Sequence, residues 1–266
     1  MPVAPQPFMN SARHVSMLLF CLAAAIPVHA QAPAAAPPPP PPPVWDTQVG
    51  AAFVGTSGNS DTTTIGGDFS LHRRWPVWKI EATATAVRTT DRGTRTAERY
   101  LGSFRGDRML SRIVGLTAGE RAERDRLAGM AFRSITDAGF SWALVRDAGW
   151  TLDGLTAVAL NHEQPTLGAD QNHPIGVLQA LSKVLLGPAA DTTQRFTFYP
   201  DFKASDAYRA EAEVTAQAAI NSRIALKIGY LWRRSNLPVA GFLKNDSTAT
   251  ASVVVRWKAT TLTAAP

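Results

Sequence analysis

The stretch from Tyr208 to Ile220 constrains the fold of this chain more than any other. Tyr208, Ala210, Ala212, Val214, Ala216, Ala218 and Ile220 share one parity, and Arg209, Glu211, Glu213, Thr215 and Gln217 the other. Successive side chains of a strand point to opposite faces, so this run describes a sheet with one apolar and one polar face. It is also about twice as long as the usual strand of a small soluble domain. The period returns from Arg223 to Arg233, where Ile224, Leu226, Ile228, Tyr230 and Trp232 share one face and Lys227 and Arg233 the other. A last strand sets Ala249, Ala251, Val253, Val255 and Trp257 against Thr248, Thr250, Ser252, Val254 and Arg256.

The same design opens the chain. From Trp45 to Arg73 two alternating strands flank the turn Ser57-Gly58-Asn59-Ser60-Asp61, whose Gly, Asn and Asp suit a tight reversal. The second strand carries Thr62, Thr64, Asp68, Ser70 and His72 on one face and Ile65, Phe69 and Leu71 on the other. Between the two ends, strands are expected at Val77–Thr90, Thr96–Asp107, Arg112–Arg121, Ala131–Val145, Trp150–Asn161, Ile175–Leu186 and Thr192–Asp201. That makes about twelve, and no segment shows a helical period. An even number returns both termini to one side, as single-chain outer-membrane barrels require. Short connections near Trp75-Pro76, Met109–Ser111, Arg146–Gly149, Gly187–Ala190 and Asn221-Ser222 alternate with mostly longer ones at Ser57–Asp61, Asp91–Arg95, Ala122–Met130, His162–Pro174, Phe202–Ala207 and Asn236–Asn245. Such barrels pair short periplasmic turns with longer extracellular loops. Long strands, and aromatics near strand ends at Trp45, Trp78, Trp150, Tyr208, Trp232 and Trp257, favour a lipid-facing apolar surface over a soluble sandwich core. The expected fold is therefore an all-β, transmembrane, antiparallel up-and-down barrel over residues 45–258, with residues 259–266 as a tail.

The amino end reads as an export segment. Arg13 and His14 precede an apolar run from Val15 to Ile26, and Val28-His29-Ala30 has the small-x-small form of a cleavage site. A cleaved signal over residues 1–30 places the protein in the bacterial outer membrane once the barrel is inserted. The single cysteine, Cys21, lies inside the signal, so the mature chain has no disulfide or thiolate chemistry. Residues 31–44 form an Ala/Pro linker with seven prolines from Pro37 to Pro43, a stiff polyproline II spacer of about 3.1 Å per residue. Removing the signal leaves 26 basic and 21 acidic side chains, a net of +5, without a basic block of the kind that binds nucleic acid.

Motifs for chemistry are sparse. Ser70 and His72 share a strand face, as a nucleophile and base would, and define a rival reading as a lipid-modifying hydrolase. Their face is the one expected inside the barrel, so they read better as two polar interior residues. The segment His162 to His173, with Glu163 and Asp170, gathers His and acids in one expected loop but fits no zinc or calcium template. No catalytic residue, metal site or cofactor is expected. The remaining constellation is a set of charges on the inward face: Asp68, Arg99, Arg105, Asp137, Lys183, Arg195, Arg209, Glu211, Glu213, Lys227, Arg233 and Arg256. Cations outnumber acids in this set, which admits two readings: a paired scaffold, or the lining of a weakly anion-preferring pore.

Several pieces of sequence resemble one family. The run Gly55-Thr56-Ser57-Gly58-Asn59-Ser60-Asp61-Thr62-Thr63-Thr64 after a Trp-led strand is similar to the signature of salt-induced outer-membrane proteins, built on a domain of unknown function (DUF481). Glu98-Arg99-Tyr100, Arg124 to Gly129, Asn236-Leu237-Pro238 and Lys244 to Thr248 resemble the same pattern, so that the likeness covers residues 45–258. It implies a Gram-negative outer-membrane barrel and brings no catalytic residue or ligand. A link to salt stress comes from this resemblance alone. Outer-membrane lipid, lipopolysaccharide and the barrel-assembly machinery are the expected partners. The leading function is a small channel or envelope protein, with a non-conducting structural barrel as a further alternative.

Overall fold

The computed structural model describes residues 45–55 and 62–259. The expected signal, linker, first turn and the tail beyond Ala259 lie outside them.

Twelve antiparallel strands follow one another around a single closed sheet. They are β1 (Trp45–Gly55), β2 (Thr62–Arg74), β3 (Trp78–Asp91), β4 (Thr94–Met109), β5 (Val114–Asp125), β6 (Met130–Arg146), β7 (Trp150–Pro165), β8 (Gln171–Leu185), β9 (Ala190–Tyr199), β10 (Arg209–Ala219), β11 (Ile224–Ser235) and β12 (Asn245–Ala259). Closure comes from β1 against β12, in register from Trp45↔Ala259 to Ala51↔Val253. The even count brings the first and last strands in at the same end, here called the terminus end. Strands of 10 to 17 residues are long enough to cross a bilayer when tilted.

Turns at the terminus end are tight because side chains supply the missing acceptors. Ser111 Oγ accepts from the amides of Ile113 and Val114, and Asn221 Oδ1 from those of Arg223 and Ile224. At the opposite, loop end, β3 and β4 are joined by Arg92-Gly93 alone, both at positive φ (48° and 78°), the backbone of a type I′ hairpin. That connection is shorter than the loop expected from Asp91 to Arg95. Two other loop-end expectations also need correcting. β5 runs on to Asp125 before a 3-10 turn at Arg126–Ala128, and β7 and β8 extend to Pro165 and back to Gln171. Most of the segments read as loops at Ala122–Met130 and His162–Pro174 are thus strand.

Parity sorts the two faces. Outward lie Val49, Phe53, Ile65, Phe69, Phe104, Leu116, Phe140, Val158, Leu160, Leu178, Phe196, Val214, Ile228 and Val253, all exposed, Leu160 to 70%. Trp78, Trp150 and Trp257 sit exposed at the terminus end. A belt of this size would be a heavy penalty in water and is the expected surface in lipid. The inner face is not uniformly polar. Ile135, Leu155, Ala159, Ile175, Val177 and Tyr199 pack together on the inner wall of β6–β9, a small apolar core inside the barrel.

Close packing of neighbouring strands depends most on glycine at position 139. β6 and β7 approach so nearly at Gly139 that an added Cβ would overlap the Thr156 carbonyl oxygen. Gly139→Ala is expected to destabilise the barrel by about 2 kcal/mol through overpacking. The readout is the urea midpoint for loss of heat-modifiable gel migration. Gly106→Ala, whose added Cβ meets no atom within 4 Å, serves as the neutral control.

An ion-pair belt across the barrel interior

Strand β5 projects Arg121, Glu123 and Asp125 inward at successive same-face positions, and the loop-end half of the barrel is organised around them. The Glu123 side chain is only 4% exposed and faces four guanidinium groups. Arg99 Nε on β4 donates to it at 2.8 Å and Arg233 Nη1 on β11 at 3.1 Å, while Arg121 and Arg133 nitrogens lie at 3.6 and 3.9 Å. Burying a carboxylate without such partners would cost several kcal/mol, on the order of the loss seen when one half of a buried ion pair is removed.

Two contacts turn this cluster into a crossing. Arg121 Nη2 reaches both oxygens of Glu211 on β10 at 2.9 Å, and its Nη1 donates to the Tyr199 hydroxyl on β9 at 3.1 Å. Arg233 also holds Asp125 at 2.8 Å. β5 is separated from β10 and β11 by several strands in either direction around the sheet, so these bonds run through the interior rather than along the wall. A second group adjoins the first. Glu163 accepts from Arg133 Nε at 2.8 Å and Asn161 Nδ2 at 2.9 Å, with Arg209 Nη1 at 3.5 Å. Above the belt opens a cavity of about 650 Å³, lined by these charges and by the loops near Asp170, Lys203 and Leu237.

Nearer the terminus end the pairs are more local. Arg105 binds Asp137 through two bonds of 2.7 and 2.6 Å, reaching from β4 to β6 across β5. Gly119 makes the crossing possible, since a Cβ there would lie 2.9 Å from the guanidinium carbon. Lys227 meets Asp68 at 3.4 Å, Lys183 meets Asp191 at 3.4 Å, and Arg195 meets Glu213 at 3.6 Å.

The charges named from sequence therefore fall into two sets, with Arg256 outside both. Arg99, Arg209, Glu211 and Arg233 join the belt; Asp68, Arg105, Asp137, Lys183, Arg195, Glu213 and Lys227 form separate pairs; Arg256 has no carboxylate within 4 Å among the described residues. Sequence reasoning missed Arg121, Glu123, Asp125, Arg133 and Glu163. Carrying the parity of Arg121 two and four residues onward would have found Glu123 and Asp125. With these five residues added, cations still outnumber acids in the set, by ten to seven.

The rival chemistries find little geometry. His72 Nδ1 lies 3.4 Å from Glu81 Oε2, and no hydrogen bond joins it to Ser70 among the described residues. His162 and His173, the two ends of the His- and acid-containing segment, take opposite faces of the β7–β8 hairpin. His162 Nδ1 bonds Asn172 Oδ1 outside at 2.7 Å, while His173 Nε2 meets Asp201 inside at 2.8 Å. Among the described residues no cluster of three His, Cys, Asp or Glu could hold a metal ion.

Solved structures to which the chain is similar include an outer-membrane channel from Pseudomonas putida F1, 11% identical over 82% of this chain and 96% of that one, with a TM-score of 0.48. The NanC porin is 11% identical over 82% and 100%, with a TM-score of 0.44. The translocator domain of the autotransporter NalP from Neisseria meningitidis is 13% identical over 80% and 86%, with a TM-score of 0.40. No curated protein matches the sequence. The family described as protein of unknown function, DUF481, matches residues 49–257, and the chain belongs to it.

Proposed function

We propose that this protein is a non-enzymatic barrel of the Gram-negative outer membrane, with the terminus end in the periplasm, acting as a narrow channel restricted by the Glu123 belt. The observation that carries this reading is the bonding of Arg121 to Glu211 and of Arg233 to Glu123, residues 90 and 110 apart in sequence, through the interior. Side chains that meet across a bore narrow it, and their strength sets how readily solutes pass. Because nearly all the inner charges named above are paired, the channel should discriminate weakly between anions and cations. A role in salt or osmotic stress draws on the family resemblance and not on the geometry.

Planar-bilayer recording tests the restriction. Arg121→Ala/Glu211→Ala removes both partners of one crossing bond, so that neither charge is stranded. Single-channel conductance is expected to rise about threefold as the constriction widens. If neither wild type nor the double variant carries current, the barrel is a structural element rather than a channel.

Glu123→Gln tests the belt as scaffold. It leaves Arg99, Arg121, Arg133 and Arg233 facing a neutral amide, and stability should fall by about 3 kcal/mol. The measurement is again the urea midpoint of heat-modifiable migration, and an unchanged midpoint would show that the belt does not hold the barrel together.

A further inference from the structure

The outer wall carries a groove that neither the channel reading nor the family accounts for. It has a volume of about 660 Å³, and its lining includes Phe69, Ala84, Gly102, Ala122, Tyr100 and Arg124. Registers fix its course. One row runs Val49↔Phe69↔Ala84↔Gly102↔Ala122 across β1–β5, and the next runs Gly67↔Ala86↔Tyr100↔Arg124. Small residues form the floor while Phe69, Tyr100 and Phe132 wall it. The space is real at the floor, because a Cβ built on Gly102 meets no atom within 4 Å.

The two ends of this groove differ. Phe69 and Gly67 lie near the middle of β2, at the depth of the apolar belt, whereas Arg124 is the penultimate residue of β5 at the loop end. Around Arg124 the exposed surface is basic: Arg88 lies two residues beyond Ala86 on β3, Arg95 is the second residue of β4, and Arg126 follows β5. Two outward acids adjoin the groove. Glu98 is held by Arg95 at 2.6 Å and by the Tyr100 hydroxyl at 3.0 Å, and Glu120 is hydrogen-bonded by Thr136 on the far side of β5. The local balance stays positive.

We propose that this groove binds a phosphorylated glycolipid of the outer leaflet, its acyl chains on the small-residue floor and its phosphate groups at Arg124, Arg88 and Arg95. Charge complementarity argues for the phosphate, since guanidinium groups match phosphate geometry and carry the strong charge-assisted bonds. Width argues for a lipid with several chains. Four strands at about 4.8 Å spacing give a floor roughly 15 Å across, wider than one chain needs. The proposal rests on the outer-membrane location and on the loop end facing outward, but not on conductance.

The test is native mass spectrometry of the full-length exported protein, extracted from membranes and shown to be heat-modifiable. The probes are bis-phosphorylated lipid A, the same lipid enzymatically dephosphorylated, and phosphatidylglycerol. Bis-phosphorylated lipid A should remain bound to the wild type, and both other lipids should bind about fivefold more weakly. Gly102→Leu fills the floor with an apolar group that lipid tolerates, and Arg124→Glu reverses the charge at the rim. Each should weaken lipid A binding about fivefold while Ala249→Leu, on the outward face of β12, leaves it unchanged. Equal binding of the dephosphorylated lipid, equal binding of phosphatidylglycerol, or wild-type affinity in either groove variant would overturn the assignment. A barrel that conducts nothing yet binds lipid A in this pattern would refute the channel and leave the groove standing.

Discussion

A sheet edge cannot be left unpaired in lipid, where no water replaces a missing backbone partner. Everything else in this protein follows from the way that constraint is met, by hydrogen-bonding β1 to β12 from Trp45↔Ala259 through Ala51↔Val253. Closing the sheet gives each strand an inside and an outside. Alternation then has to satisfy two solvents at once, with Val158 and Leu160 turned outward and Ala159 and Asn161 inward on the same strand.

Closure also traps charge. Once Glu123, Arg121 and Arg233 are inside, water cannot screen them fully, and they must find each other or be neutralised. The interior meets this demand in two ways. Ion pairs cross the interior in the loop-end half and join nearer strands toward the terminus end, and the apolar cluster around Ile135, Leu155 and Ile175 fills part of the wall of β6–β9. Gly119 makes the Arg105–Asp137 pair possible by letting the arginine side chain lie flat across β5. The outside shows the converse economy, since small residues there leave room for lipid rather than for side chains.

The strand count, the closure and the outward faces of β2, β10, β11 and β12 were legible in the sequence. The exceptions lie at the loop end and have one cause. Alternation marks a strand only while its two faces meet different media. Beyond the apolar belt the outward positions turn polar as well, at Arg124 on β5 and at His162 and Gln164 on β7, and the period of two disappears. Glu123, Asp125 and Glu163 therefore read as loop residues although they sit on strands. Including the missed residues, three acids and two arginines, lowers the cation excess of the inner set only from four to three.

What the sequence determined by itself was local: which residues alternate, how many times the chain crosses, and which parity faces lipid. These depend on side-chain direction within a strand, a property of neighbours two residues apart. Only the closed barrel decided which charges meet. Arg121 and Glu211 are 90 residues apart, and Arg233 and Glu123 110, so their contact depends on the stagger accumulated around twelve strands. The same stagger brings Phe69 in the middle of β2 into one groove with Arg124 at the end of β5. No periodicity along the chain encodes either juxtaposition.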